Sequence, residues 1–340
     1  MMNYKNAINL RSKTLSVLVP VYNESCVIEE FMSRLQQTFK ALQCKTEVVF
    51  VDDGSTDNTI DKIHAGPAIA DTKKIIKLSR NFGKEAALCA GLKSVTGDAV
   101  IILDADLQDP PELIPGMLAT WQQGIDVVNM CRAKRDGESW FKKLSAKCFY
   151  RLLNWLSDTP IPENVGDFRL ISRNVIDVIN SMPEKNIYMK GILSWPGFTT
   201  KTLFFDRDAR VSGESKWPFI KLVKLAIDGI TAFSTKPLQI ATWMGAIIAS
   251  SAFIYSLYIV VKTVFLGNSV AGFPTLMVTI LALGGFQLLT VGIMGAYIGR
   301  IYTEVKNRPR YVVQEEISQI KSNAAAEVIS SSKVAVINAK

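Results

Sequence analysis

No charged residue interrupts positions 237–261, and beyond Lys262 none interrupts 263–299. A charge-free run of 25 residues is long enough to cross a ~30 Å hydrocarbon core with some tilt. The second run holds 37 residues, but Gly267-Asn268-Ser269 and Gly272-Phe273-Pro274 break it near its start and leave 275–298 as its span. Two transmembrane helices with a short loop between them make a hairpin. A buried helix pair in a soluble protein is disfavoured by the length of both runs.

The flanks set the expected orientation. Lys216, Lys221, Lys224 and Lys236 precede the hairpin, Arg300, Lys306, Arg308 and Arg310 follow it, and the connecting loop holds only Lys262. By the positive-inside rule both ends of the chain then lie in the cytoplasm. The formal net charge of +8 with 48% apolar residues suits a protein that uses basic residues for topology and for anionic headgroups. Nucleic acid is not an expected partner, since no zinc spacing or known recognition motif accompanies the charge. The five cysteines show no paired spacing and are expected reduced. No apolar signal segment opens the chain.

Ahead of the hairpin the pattern is strand and helix in alternation. Residues 15–20, 47–51, 74–78, 99–103 and 126–130 read as buried strands, with helices over 25–42 and 83–94 between them. That implies an α/β fold with a mostly parallel sheet and right-handed crossovers. Residues 140–156 read as a two-faced helix with Lys142, Lys143, Lys147 and Arg151 on its flank, either resting on lipid or packed on the core. A second such stretch, 217–233, adjoins the hairpin. The expected organisation is an N-terminal lead (1–13), a catalytic domain (14–215), a juxtamembrane segment (216–236), the hairpin (237–299, with spans 237–261 and 275–298) and a tail (300–340) disordered after about residue 317.

Two carboxylate clusters fall at strand ends, where open α/β sheets bind ligands. Asp52 and Asp53 close the second strand, and either could accept the N3–H of a uracil. Asp57, after the turn, is expected to cap the next helix. In Asp104-Ala105-Asp106-Leu107-Gln108 alternate residues of an extended segment would point the same way, so Asp104, Asp106 and Gln108 would present oxygens to Mg²⁺ or Mn²⁺. Such an ion takes a few protein oxygens and completes its shell with diphosphate and water. Pro20 and Tyr22 can wall a base, and Glu24 can accept from a ribose or base donor.

VPVYNE, DDGSTD and DADLQDPPE, in this order and spacing, resemble the family-2 glycosyltransferases, which have a GT-A nucleotide-diphospho-sugar fold. RNFGKEAALCAGL, ENVGDFRLISR, MKGILSW, RVSGESKW and AYIGRIY with KNRPRY are similar to the polyprenyl-phosphate glycosyltransferases among them. The resemblance covers residues 14–312. It departs at Ala296, where the relatives are expected to carry an acid.

The resemblance implies inverting transfer of a sugar, glucose from UDP-glucose by preference, to undecaprenyl phosphate for O-antigen or other surface glycan modification. GlcNAc, mannose from GDP-mannose and formamido-arabinose remain as alternatives. It further implies a bacterial inner-membrane location, and a flippase and a second glycosyltransferase downstream. The hairpin leaves homo-oligomers open. Arg210, Gly213 and Lys216 would belong to a loop closing over the donor diphosphate, with glycine as its hinge. Arg80 and Lys84 are assigned to the donor, and Arg132, Lys143 and Arg169 to the acceptor phosphate. Asp167 would orient the sugar or Arg169, or form a structural ion pair. A lipid monophosphate is already anionic at neutral pH and needs no general base, so His64, the one histidine, is not expected in catalysis. A processive synthase would need a QxxRW motif and more spans. A membrane scaffold would leave the acidic clusters without a purpose.

Overall fold

Runs of consecutive apolar, largely β-branched residues become strands buried on both faces, as a parallel sheet covered by helices requires. The computed structural model describes residues 10–132, 165–182, 184, 192, 196–205, 236–266, 272–320 and 327–331. In chain order β1 (Thr14–Val21), α1 (Ile28–Lys40), β2 (Lys45–Asp52), α2 (Thr59–Ala65), β3 (Thr72–Leu78), α3 (Lys84–Ser94), β4 (Ala99–Ile102), α4 (Ile114–Trp121) and β5 (Val127–Arg132) form the alternating part. All five expected strands are found. They are followed by β6 (Val165–Ser172), α5 (Arg173–Ser181), β7 (Thr200–Phe205), α6 (Lys236–Leu266), α7 (Phe273–Val305), β8 (Val313–Ile320) and β9 (Glu327–Ser331).

Among the described residues nine strands form one sheet in the order β7-β5-β6-β4-β1-β2-β3-β8-β9. Its centre, β4-β1-β2-β3, is parallel, and β6 and β8 pair antiparallel with their neighbours. Since β2 and β4 lie on opposite sides of β1, strand order reverses there, the point at which such sheets open a crevice. The core is built on Val17, Val19, Val48, Phe50 and Ile101 of the central strands, with Phe31 and Leu35 of α1 and Met117 of α4. Phe168 of β6 meets Phe205 of β7 edge-to-face at 6.0 Å. Helix α3 comes so near the sheet that a Cβ on Gly91 would sit 2.0 Å from Leu18 Cδ1.

The chain divides into two units. One comprises Met1–Lys147, Pro160–Trp217 and Arg308–Lys340, and the other Cys148–Thr159 and Pro218–Asn307. The second unit contains α6 and α7, which pack on each other. Each holds a stretch long and apolar enough to cross a membrane, Lys236–Tyr255 and Ala282–Val305. Large apolar side chains such as Trp243, Phe253 and Leu288 are more than two-thirds exposed on them, the kind of surface that marks a membrane or protein contact. The expected amphipathic stretches 140–156 and 217–233 lie outside the described residues.

The tail corrects one expectation. Disorder was expected after about residue 317, yet β8 runs on to Ile320 and β9 occupies Glu327–Ser331. β8 pairs antiparallel with β3, with Ile75 opposite Ile317 and Thr72 opposite Ile320. Arg310 donates to Met182 O at 3.3 Å and Ser94 Oγ to Glu316 Oε1 at 3.1 Å. The Ser/Ala/Lys-rich composition concealed this, because the strand is stabilised by an open sheet edge that a local reading does not see.

Candidate active site

Beyond the C-terminal ends of β1 and β2 two loops are laced together. Asn23 lies in the left-handed region (φ 56°). Its N–H donates to Ser55 Oγ (3.0 Å) and its Oδ1 accepts from Thr56 N–H (2.9 Å). Glu24 N–H donates to Thr59 Oγ1 (2.9 Å) and Ser25 N–H to Asp57 Oδ2 (3.1 Å). Asp57 also accepts from Thr59 N–H (3.0 Å) at the start of α2, although Asn58 and not Asp57 is the N-cap residue.

Asp52 and Asp53 serve the backbone rather than facing outward together. Asp52 is buried and accepts from Ser55 N–H at 3.1 Å. Asp53 accepts from Phe82 N–H (2.7 Å) and Gly83 N–H (2.9 Å) and so pins the loop leading into α3. Burial pushes the Asp53 carboxyl above its ordinary range against the pull of those two amides. Gly54 (φ 75°) lets the loops meet, since a Cβ there would lie 2.6 Å from Arg80 C and 2.7 Å from Asn81 N. The expectation that either acid reads the base is corrected for Asp52, which does not line the cleft; Asp53 does.

The cleft between these loops has a volume of about 380 Å³. It brings together Pro20, Tyr22, Glu24, Asp53, Lys84, Asp104 and Asp106 of the residues expected there. Asn81, Gly83 and Ala87 also line it; they lie within RNFGKEAAL, so the signal was present but attached to their neighbours. Lys84 opens α3, and its Nζ bridges Asp104 (2.7 Å) and Asp167 (2.6 Å). Burial pulls the Lys84 ammonium down, but the two carboxylates outweigh it and hold the group well above its usual value. Burial raises the Asp104 carboxyl, Lys84 lowers it, and Asp167 and Asp106 add to the rise. Asp167 reaches this point through the sheet: β6 pairs Arg169 with Ile102, and two residues further along the same register stand Asp167 and Asp104.

Alternation along 104–108 does not hold. Leu107 adopts φ 61° and buries its side chain in the core, while Asp106 Oδ1 accepts from Gln108 N–H at 3.1 Å. The segment is therefore a turn. Gln108 is buried and absent from the cleft lining, so its expected place beside the two acids is corrected. Arg169 is 2% exposed and donates to Gly166 O at 2.6 Å; it is not part of the cleft lining. Arg80 lies over the Phe82 ring at 4.0 Å, outside the cleft lining. Arg132 ends β5. Lys143, Arg210, Gly213 and Lys216 lie outside the described residues.

Among the described residues no cluster of three or more His, Cys, Asp or Glu is arranged to hold a metal unaided. Two carboxylates on one cleft wall still fit a hard divalent ion whose remaining ligands are diphosphate oxygens and water. An apolar and aromatic entrance, a pinned glycine loop and paired acids are gathered at the strand-order reversal, the crevice where open α/β sheets bind ligands.

Comparison with known proteins supplies the family. Residues 16–179 match glycosyl transferase family 2, and the chain belongs to this family: it is a glycosyltransferase with a GT-A fold. It is 45% identical over 301 residues to the prophage bactoprenol glucosyl transferase homolog of Escherichia coli K12, covering 88% of this chain and 98% of that one. The bactoprenol glucosyl transferase of Shigella phage SfX is 46% identical over 301 residues, with the same coverage. Among solved structures, the glucosyl-3-phosphoglycerate synthase of Mycobacterium tuberculosis is similar at a TM-score of 0.42 and 21% identity, over 64% of this chain and 78% of that one.

Proposed function

We propose that the protein transfers glucose from UDP-glucose to undecaprenyl phosphate at the cytoplasmic face of the bacterial inner membrane, with inversion at the anomeric carbon. One observation carries this reading. Relatives called bactoprenol glucosyl transferases align over 301 residues, too many to leave out the segment 236–305. The likeness thus extends beyond the nucleotide cleft to the part that would meet a lipid acceptor, and two exposed apolar helices support an acceptor delivered through the bilayer.

The reaction is an in-line displacement. A phosphate oxygen of the lipid attacks the anomeric carbon as the bond to UDP breaks, and UDP departs. The attacking group is already anionic, so positioning replaces base catalysis, in keeping with His64 lying exposed on α2. Asp104 and Asp106 would hold Mg²⁺ or Mn²⁺, which when bound supplies Lewis-acid stabilisation of the leaving diphosphate. Pro20, Tyr22, Glu24 and Asp53 would receive the nucleoside end. Arg210 and Lys216 are assigned to the donor diphosphate, and Arg132 and Lys143 to the lipid phosphate. Basic flanks on both sides of the hairpin support cytoplasmic termini.

The test is transfer of label from UDP-[¹⁴C]glucose to undecaprenyl phosphate by the detergent-purified protein, with UDP-GlcNAc and GDP-mannose in parallel. Labelled lipid from UDP-glucose alone is the expected result. Transfer from another donor replaces the sugar and keeps the mechanism, and transfer from none overturns the acceptor.

A further inference from the structure

Lys84 stands between two carboxylates that have different tasks. Its Nζ lies 2.7 Å from Asp104 and 2.6 Å from Asp167, while Asp106 lines the same cleft. The position is set from the backbone outward. Asp53 holds Gly83 N–H at 2.9 Å, Gly83 adopts φ 97°, and Lys84 follows as the first residue of α3. The ammonium therefore already supplies at Asp104 the positive charge that a divalent ion would supply. A divalent ion entering beside it would meet a like charge at short range, where the effective dielectric is well below that of water.

We infer that Lys84 is a positioning residue that occupies Asp104 as an internal counter-ion until metal and nucleotide diphosphate enter together. This rests on the metal-dependent reading above. The diphosphate brings the negative charge that lets the ammonium leave Asp104, and Asp167 keeps a hold on Lys84 while it moves. Metal alone is then admitted poorly and metal with nucleotide well, so the site is loaded by both or by neither.

The experiment is a titration of full-length detergent-solubilised protein with Mn²⁺, free ion being read by electron paramagnetic resonance, with and without UDP. Wild type is expected to bind bare Mn²⁺ weakly and to gain about tenfold or more with UDP. Lys84→Gln should bind bare Mn²⁺ about tenfold more tightly than wild type, with a smaller gain from UDP. Lys84→Arg keeps the cation and should stay near wild type. If wild type binds bare Mn²⁺ as tightly as it does with UDP, the inference is overturned without recourse to any variant. A Lys84→Gln protein of wild-type thermal stability that binds bare Mn²⁺ no better than wild type also overturns it, and leaves the metal reading standing. Failure of wild type to bind Mn²⁺ even with UDP removes the metal reading and this inference together.

Discussion

At the scale of single residues, Asp106 carries the sharpest expectation. It lines the cleft with Asp104, and its loss removes one of the two carboxylates assigned to the ion. Asp106→Asn should lower kcat by about 10²–10³, the range for removing one electrostatic contact to a developing charge. The variant's melting temperature should stay near wild type, and steady-state kinetics with a thermal melt check both. Normal transfer in divalent metal would exclude the assignment. The acids themselves were legible in the sequence, because two clusters, at the ends of β2 and β4, exceed what turns require. Which of them face the cleft was not legible. Asp52 accepts from Ser55 N–H within its own turn, while Gln108 is buried where Leu107, itself left-handed, enters the core, and such a reversal is decided by packing rather than by spacing. The partner of Lys84 was equally hidden, since Asp167 lies 83 residues away and arrives only through strand pairing.

At the scale of elements, α3 and the opposite edge of the sheet decide stability. Gly91 is the contact at which α3 meets β1, and Leu18 there is fully buried. Gly91→Ala should destabilise the protein by about 1–3 kcal/mol, as overpacking of a filled core does, and a shift in thermal midpoint reads it. At the N-terminal ends of the strands Glu47, 2% exposed, pairs with Lys74 at 2.9 Å. It also accepts from Ser16 Oγ, from Thr96 N–H at 2.8 Å and from Thr96 Oγ1 at 3.0 Å. Burial alone would raise its carboxyl, but these partners outweigh burial and hold it below the ordinary value. The folded pKa is thus below the unfolded value of about 4.3. The stability it contributes is complete above that value and is lost as pH falls through the folded pKa. Glu47→Gln should cost on the order of 3 kcal/mol at neutral pH by leaving Lys74 without its charge partner. It should also flatten the loss of stability below about pH 4, measured by chemical denaturation across pH. The strands β1–β5 were legible because each holds a short apolar, largely β-branched stretch and most are separated by helical segments. β6, β8 and β9 were not, because their place depends on edges supplied by distant segments.

At the scale of the whole molecule, the chain passes through the hairpin segments and then returns to the sheet. Tyr311 and Val313 are buried, and β8 covers the edge of β3. A chain ended at Asn307 should therefore lose more than a tail. Its β3 becomes an open edge, the kind of edge that recruits other chains. Size-exclusion chromatography in detergent should show aggregation of the truncated protein where the full chain runs as a single species, and a monodisperse truncated protein would refute the structural role of β8.

The sequence by itself determined the α/β class, the strands of the parallel centre, the two apolar helices and the family. Each of these rests on local periodicity, on the absence of charge over a fixed length or on motifs at strand ends, which are properties a chain carries before it folds. Only the tertiary structure decided that Lys84 joins Asp104 to Asp167, that Asp52 and Gln108 stay out of the cleft lining, and that residues 313–320 pair with the edge of β3. Those outcomes depend on which distant segments meet, and the free energy that selects among them comes from burial and hydrogen bonding across the sheet rather than from any residue's own preference.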